Sequence, residues 1–168
     1  MVFILWIIYR PKTVRAHVTA VFPSVFTLTS NSTLVYNFTL HVSIQNPNRK
    51  VGLYYDDISA EAQYDSIPFG LVYKFPPFFQ HKRNITVFPL VFVGRAFGLR
   101  SVQKKFEREK REGWFYVELK ICTKMRLKIE FVKVGRYSPE IDCAVKLPVM
   151  ANGSDVKFER SECDVDKF

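Results

Sequence analysis

The sequence predicts an all-β, antiparallel sandwich with one short helix. Three observations carry that reading. Two long segments alternate apolar and polar residues with period two. Aromatics are abundant, with 16 Phe, 8 Tyr and 2 Trp, and they favour strands. One short charged segment, closed by a glycine, has helical spacing. The 168 residues suit one main domain and bury enough surface to fold without a metal. The 48% hydrophobic and 24% charged content excludes a disordered chain.

Residues 34–45 give the clearest strand. Leu34, Tyr36, Phe38, Leu40, Val42 and Ile44 occupy one face. Asn46-Pro47-Asn48 ends it, because Pro47 cannot donate to a ladder and Asn favours turns. Residues 51–64 resume with Leu53, Tyr55, Ile58, Ala60, Ala62 and Tyr64 inward. The change of phase between Tyr55 and Ile58 predicts a bulge at Asp56-Asp57. Phe75-Pro76-Pro77-Phe78-Phe79 is a stiff loop. Residues 84–93 form a strand that Pro89 breaks or places at an edge.

Residues 101–112 form the helix, with Ser101 as cap and Gly113 closing it. Val102 and Phe106 share a face, and eight of the nine residues 104–112 are charged, so the run reads as a solvated surface. Residues 115–131 alternate again, with Phe115, Val117, Leu119, Ile121, Met125, Leu127, Ile129 and Phe131 inward. A strand that long calls for a bend or bulge. Residues 141–147 and 156–158 complete a set of seven or eight strands. The style is that of an immunoglobulin or fibronectin type III-like sandwich.

Cysteines are Cys122, Cys143 and Cys163. No spacing suits zinc. Cys143 and Cys163 can pair across adjacent strands, leaving Cys122 as a buried free thiol; the other reading is three reduced core cysteines, and compartment decides.

Residues 1–9, MVFILWIIY, are apolar, but nine helical residues span about 14 Å of a ~30 Å hydrocarbon core. They read as the C-terminal part of a membrane anchor helix whose beginning is absent, with residues 10–168 as the domain. The segment lacks a basic leader and a cleavage site, so it is a poor signal peptide. Sequons stand at Asn31, Asn37, Asn84 and Asn152. Six Asn and 18 Ser or Thr would give roughly 0.6 by chance, so the excess places the domain outside the cytosol. Arg10, Lys12 and Arg15 oppose this by the positive-inside rule.

No catalytic motif is present. His17, His41 and His81 are scattered, no cofactor loop appears, and Asp56 and Asp57, as strand neighbours, point to opposite faces. The net charge of +9 permits anionic partners without choosing among them. Tyr54-Tyr55 and Phe78-Phe79 can form a sugar-stacking platform or pack the core. Basic and aromatic residues interleave over residues 128–137, but no RNA-binding motif accompanies them, so nucleic acid is not expected.

Two stretches carry a family pattern: Asn46-Pro47-Asn48-Arg49-Lys50-Val51-Gly52-Leu53-Tyr54-Tyr55-Asp56, and Phe75-Pro76-Pro77-Phe78-Phe79-Gln80-His81-Lys82. The chain resembles the plant harpin-induced-like and non-race-specific-disease-resistance-like membrane proteins, which contain a late-embryogenesis-abundant group 2 domain. The likeness extends to the anchor end, the charged helix and the Cys143 and Cys163 tail. It departs where Gln80 meets His81 directly, without the family's usual intervening Gly. The resemblance implies a single-pass plasma-membrane protein with a glycosylated sandwich outside. It implies a role in defence and stress without enzymatic activity or cofactor. The expected partners are the lipid bilayer through the anchor and a cell-surface protein, or, from the net charge of +9, an acidic wall polysaccharide.

Overall fold

The computed structural model describes Ile4 and residues 12–72, 75–149 and 161–165. Eleven strands occur among the described residues: β1 (Arg15–Leu28), β2 (Leu34–Gln45), β3 (Gly52–Tyr64), β4 (Ile67–Val72), β5 (Phe78–Gln80), β6 (Ile85–Ala96), β7 (Trp114–Ile129), β8 (Val132–Tyr137), β9 (Glu140–Pro148), β10 (Ser161–Glu162) and β11 (Asp164–Val165). A 3-10 turn at Arg100–Val102 leads into one α-helix, α1 (Gln103–Glu112).

The strands form two antiparallel sheets. One has the order β10-β1-β2-β6; the other runs β11-β9-β7-β3-β4, with β5 on β3 and β8 on β7. The all-β, antiparallel expectation with one short helix holds at that level. Among the described residues no helix is long and apolar enough to cross a membrane. The expected anchor at residues 1–9, Ile4 apart, and the expected strand at 156–158 lie outside the described residues.

Alternation builds the core. All six residues named for β2 and all six named for β3 are buried, so each strand gives one whole face to the space between the sheets. The bulge falls where the phase changes: the β3–β7 register shifts between Tyr55 and Asp57. It sets Asp56 and Asp57 together between inward Tyr55 and Ile58, so strict alternation to opposite faces does not hold there. Pro89 sits in β6, at the free edge of its sheet, where its missing N–H breaks no ladder.

Three local expectations are corrected. Ser101 makes no side-chain cap; Val102 is the N-cap of α1, preceded by the 3-10 turn. Cys122 is exposed, because the inward phase of β7 falls on Ile121 and Thr123. Phe131 is 98% exposed, because β7 stops at Ile129 and a two-residue turn leads into β8. Glu130 takes a positive φ of 55° in that turn.

The sandwich has two ends. Strand directions bring Lys12, residues 46–51, 81–84 and 130–131 to one, called the near end. Residues 29–33, 65–66 and α1 lie at the far end. There Gly113 closes α1 in the left-handed region, and Phe106 stacks on Phe115 with centroids 4.8 Å apart. β10 joins the first sheet beside the start of β1, and β11 joins the second beside the start of β9. Cys163 lies between them and bonds Cys143 of β9, so the disulfide ties the two sheet edges together.

Candidate interaction surface

Alternation at the start of β3 and in β5 splits two aromatic pairs between inside and outside. Tyr55 and Phe78 turn inward and stack at 4.6 Å, nearly parallel. The Tyr55 hydroxyl donates to Gln80 Oε1 at 3.0 Å, and burial pushes its phenol above the ordinary value. Tyr54 and Phe79 turn outward, in register, with centroids 4.6 Å apart. His81 meets the edge of Phe79 at 4.7 Å. Phe79 can lie this low because residue 52 is glycine: a Cβ there would stand 2.5 Å from the Phe79 ring.

Lysines from the β7–β8 hairpin cover this platform. Lys133 Nζ lies 4.2 Å from the Tyr54 centroid, and Lys128 Nζ lies 5.1 Å from that of Phe79. Both are cation–π geometries. A shallow depression of about 360 Å³ opens beside them, lined by Gly52, Phe79, His81, Lys82, Lys128 and Glu130. Arg126 is already engaged. Its guanidinium donates to both oxygens of Asp56, at 2.8 and 2.7 Å. Those hydrogen bonds, with the charges of Arg126, Lys133 and Arg136, hold the Asp56 carboxyl below the ordinary carboxylate value.

Beneath the platform the motif amides are structural. Asn46 and Asn48 are buried. Asn46 Nδ2 donates to the carbonyls of Val51 and His81, and its Oδ1 accepts from the Asn48 backbone and side chain. Asn48 then clamps the incoming chain. The Lys12 N–H donates to Asn48 Oδ1 at 2.6 Å, and Asn48 Nδ2 donates to the Lys12 carbonyl at 2.9 Å. Gln80 donates to the carbonyls of Ile44 and Asn84. Neutral amides meet the buried backbone groups that three converging loops leave open.

The other motif residues stand around this network: Pro47 is half-buried, and Pro76 and Pro77 are exposed. Of the sequon asparagines, Asn31 and Asn84 are exposed and Asn37 is half-buried on β2; Asn152 lies outside the described residues. Cys122 is free, and its thiol is pushed up by partial desolvation and then by Glu140. No group of three or more His, Cys, Asp or Glu among the described residues is placed to hold a metal ion. The sequence reading passed over Lys128 and Lys133 as partners of Tyr54 and Phe79; the signal was the basic–aromatic interleaving of residues 128–137.

The arrangement is a surface rather than a cleft, and its scaffold has a family. The model of the late embryogenesis abundant protein family, LEA_2, matches residues 41–146, which include the amide network, the platform and most of both sheets. The chain belongs to the LEA_2 family. It is 33% identical to NDR1/HIN1-like protein 3 of Arabidopsis thaliana over 166 residues, covering 97% of this chain and 72% of the relative. It is 33% identical to NDR1/HIN1-like protein 10 of the same plant over 156 residues, covering 90% of this chain and 68% of the relative. A solution structure from Arabidopsis thaliana aligns over 86% of each chain at 15% identity, with a TM-score of 0.43. The resemblance carried by the Asn-Pro-Asn and Pro-Pro motifs is thereby shown.

Proposed function

We propose that this LEA_2 chain is the extracellular interaction domain of a plasma-membrane protein in plant defence and stress, with residues 1–9 as the C-terminal part of its membrane anchor helix, and works by binding rather than catalysis. The observation that carries the reading is the Cys143–Cys163 bond between the sheet edges, which suits an oxidising compartment. The exposed sequon asparagines Asn31 and Asn84 support the same side. A glycan on Asn37 would stand on the outer face of the first sheet beside exposed Val91 and Val93 and keep that face in water.

The test is expression in plant cells with a C-terminal tag, followed by glycosidase and by protease applied from outside. Glycan loss and external cleavage are the expected results; a soluble product of unchanged mobility would overturn the reading.

A second reading is favoured by the lysine-capped platform of Tyr54 and Phe79: stress protection through binding to an anionic surface, either membrane or wall polysaccharide. Binding to anionic vesicles or pectin that weakens with salt supports it. No binding at low salt removes it.

A further inference from the structure

The near end carries an apolar side chain with no structural reason to be there. Phe131 is 98% exposed and Val132 59% exposed, at the tip of the β7–β8 hairpin. A turn of two residues needs no phenylalanine, and a ring standing in water is unfavourable by its whole apolar area. Basic residues surround the tip. Lys128 and Lys133 pair directly below it in the hairpin. Arg49, Lys50, Lys82 and Arg83 are exposed on the two neighbouring loops. Glu130 is the one acidic residue among residues 128–133.

Position supplies the partner. Gly52 of β3 pairs with Lys128, so the hairpin runs past the start of β3 into the end that holds residues 46–51. Asn48 in that loop fixes Lys12 through two hydrogen bonds. Lys12 follows the apolar run of residues 1–9 by only two residues. The chain therefore arrives from its apolar segment at the same end from which Phe131 projects.

We infer that the near end is a lipid-docking site: Phe131 and Val132 enter the bilayer interface, and the surrounding lysines and arginines bind phosphate headgroups. Aromatic rings sit well at the interface, and ammonium and guanidinium groups are the natural partners of phosphate. The cation–π contacts on Tyr54 and Phe79 hold Lys133 and Lys128 on the outer face beside the tip. A projecting apolar wedge fits a deformable lipid surface better than a polysaccharide, which needs a flat or concave platform. Asn84, the sequon residue at this end, stands just before β6 of the other sheet. Docking would hold the sandwich tethered against the bilayer instead of swinging on its anchor. The inference rests on the anchored reading above.

The test uses the full 168-residue chain with Cys122→Ser and one added cysteine. Lys82→Cys places a fluorophore in the collar but off the tip; Ser30→Cys places it at the far end. The protein is reconstituted in phosphatidylcholine vesicles with and without phosphatidylglycerol, carrying lipid-borne nitroxide quenchers. Quenching is expected at position 82, not at 30, and is lost with Phe131→Ser plus Val132→Ser. With Lys128→Gln or Lys133→Gln, the ratio of docked to undocked label falls roughly fivefold per charge in anionic vesicles. Unchanged circular dichroism of the tip variants shows that they fold. If the chain floats with vesicles but position 82 stays unquenched, or the tip substitutions leave quenching unchanged, docking is overturned and the anchor stands. A chain whose residues 1–9 are extended to a full-length apolar helix and that still does not float overturns the anchored reading and docking with it. Protection of position 82 by polygalacturonate without vesicles would assign the site to wall polysaccharide instead.

Discussion

Where Lys12 enters, the buried polar groups are neutral amides; at the opposite end the corresponding group is a carboxylate. Asn46, Asn48 and Gln80 hold loops to one another through bonds to backbone. Glu109, 1% exposed, accepts from the Tyr64 hydroxyl at 3.0 Å and from the Tyr116 N–H at 3.3 Å, with Lys105 Nζ 3.9 Å away. The loops of the near end are thus held by neutral amides. The far end is closed by an ionisable lid that packs the helix down.

The largest effect is expected at the near end. Asn46→Ala removes one residue that serves four partners and leaves buried backbone groups of Val51 and Asn48 unmet, so it is expected to lower unfolding stability by about 3 kcal/mol. Urea denaturation measures this. Asn46→Asp should recover little, because a carboxylate cannot donate to the Val51 carbonyl. Glu109→Gln keeps an acceptor for both tyrosine contacts and should lose only about 1 kcal/mol. If the two ends lose equally, the contrast between fixed loops and lid is wrong.

Alkaline pH separates the ends further. Burial raises the Tyr55 phenol at the near end, and burial together with Glu109 raises that of Tyr64 at the far end. A phenol whose folded pKa lies above its unfolded one binds its proton longer in the folded state. Its stabilisation is therefore complete below about pH 10 and is lost as pH climbs beyond that value. Tyr55→Phe and Tyr64→Phe should each flatten the alkaline fall, and Tyr55→Phe should also lower neutral-pH stability by about 1 kcal/mol through the lost bond to Gln80. Chemical denaturation at pH 8, 9.5 and 10.5 reads both.

The contrast also explains what was legible. Strands β2 and β7 were, because each buries one unbroken face, and β3 was, because its inward run resumes cleanly after the bulge at Asp56-Asp57. β1 was not: its register against β2 shifts twice, between Val18 and Ala20 and between Pro23 and Val25, and each shift resets the alternation. Asn46 and Asn48 stood out as a motif, yet their clamp on Lys12 joins residues 36 positions apart, which no local pattern carries. Glu109 was hidden among the charges of α1; only the tertiary partners Tyr64 and Tyr116 single it out. Phe131 continued the inward phase of β7 in sequence and left it in space, because the turn came one pair sooner than the alternation implied.

The smallest expected effect tests whether the charged groups of the outer face matter to the fold at all. Asp56 and Arg126 are joined by two short hydrogen bonds, but both side chains are about a third or more exposed, so water competes for each. Solvent screening therefore leaves their pairing a minor contributor to the fold. Asp56 carries a folded pKa below its unfolded one, so this contribution is present above about pH 4 and lost as pH falls through the lower folded value. Arg126→Gln should therefore leave the neutral-pH urea midpoint almost unchanged while removing the small acid-side loss expected of the wild type below about pH 4. A loss at neutral pH as large as that of Asn46→Ala would mean that the outer pair, and not the buried amides, sets the β3 bulge. The near end would then owe its shape to the charges of its outer face.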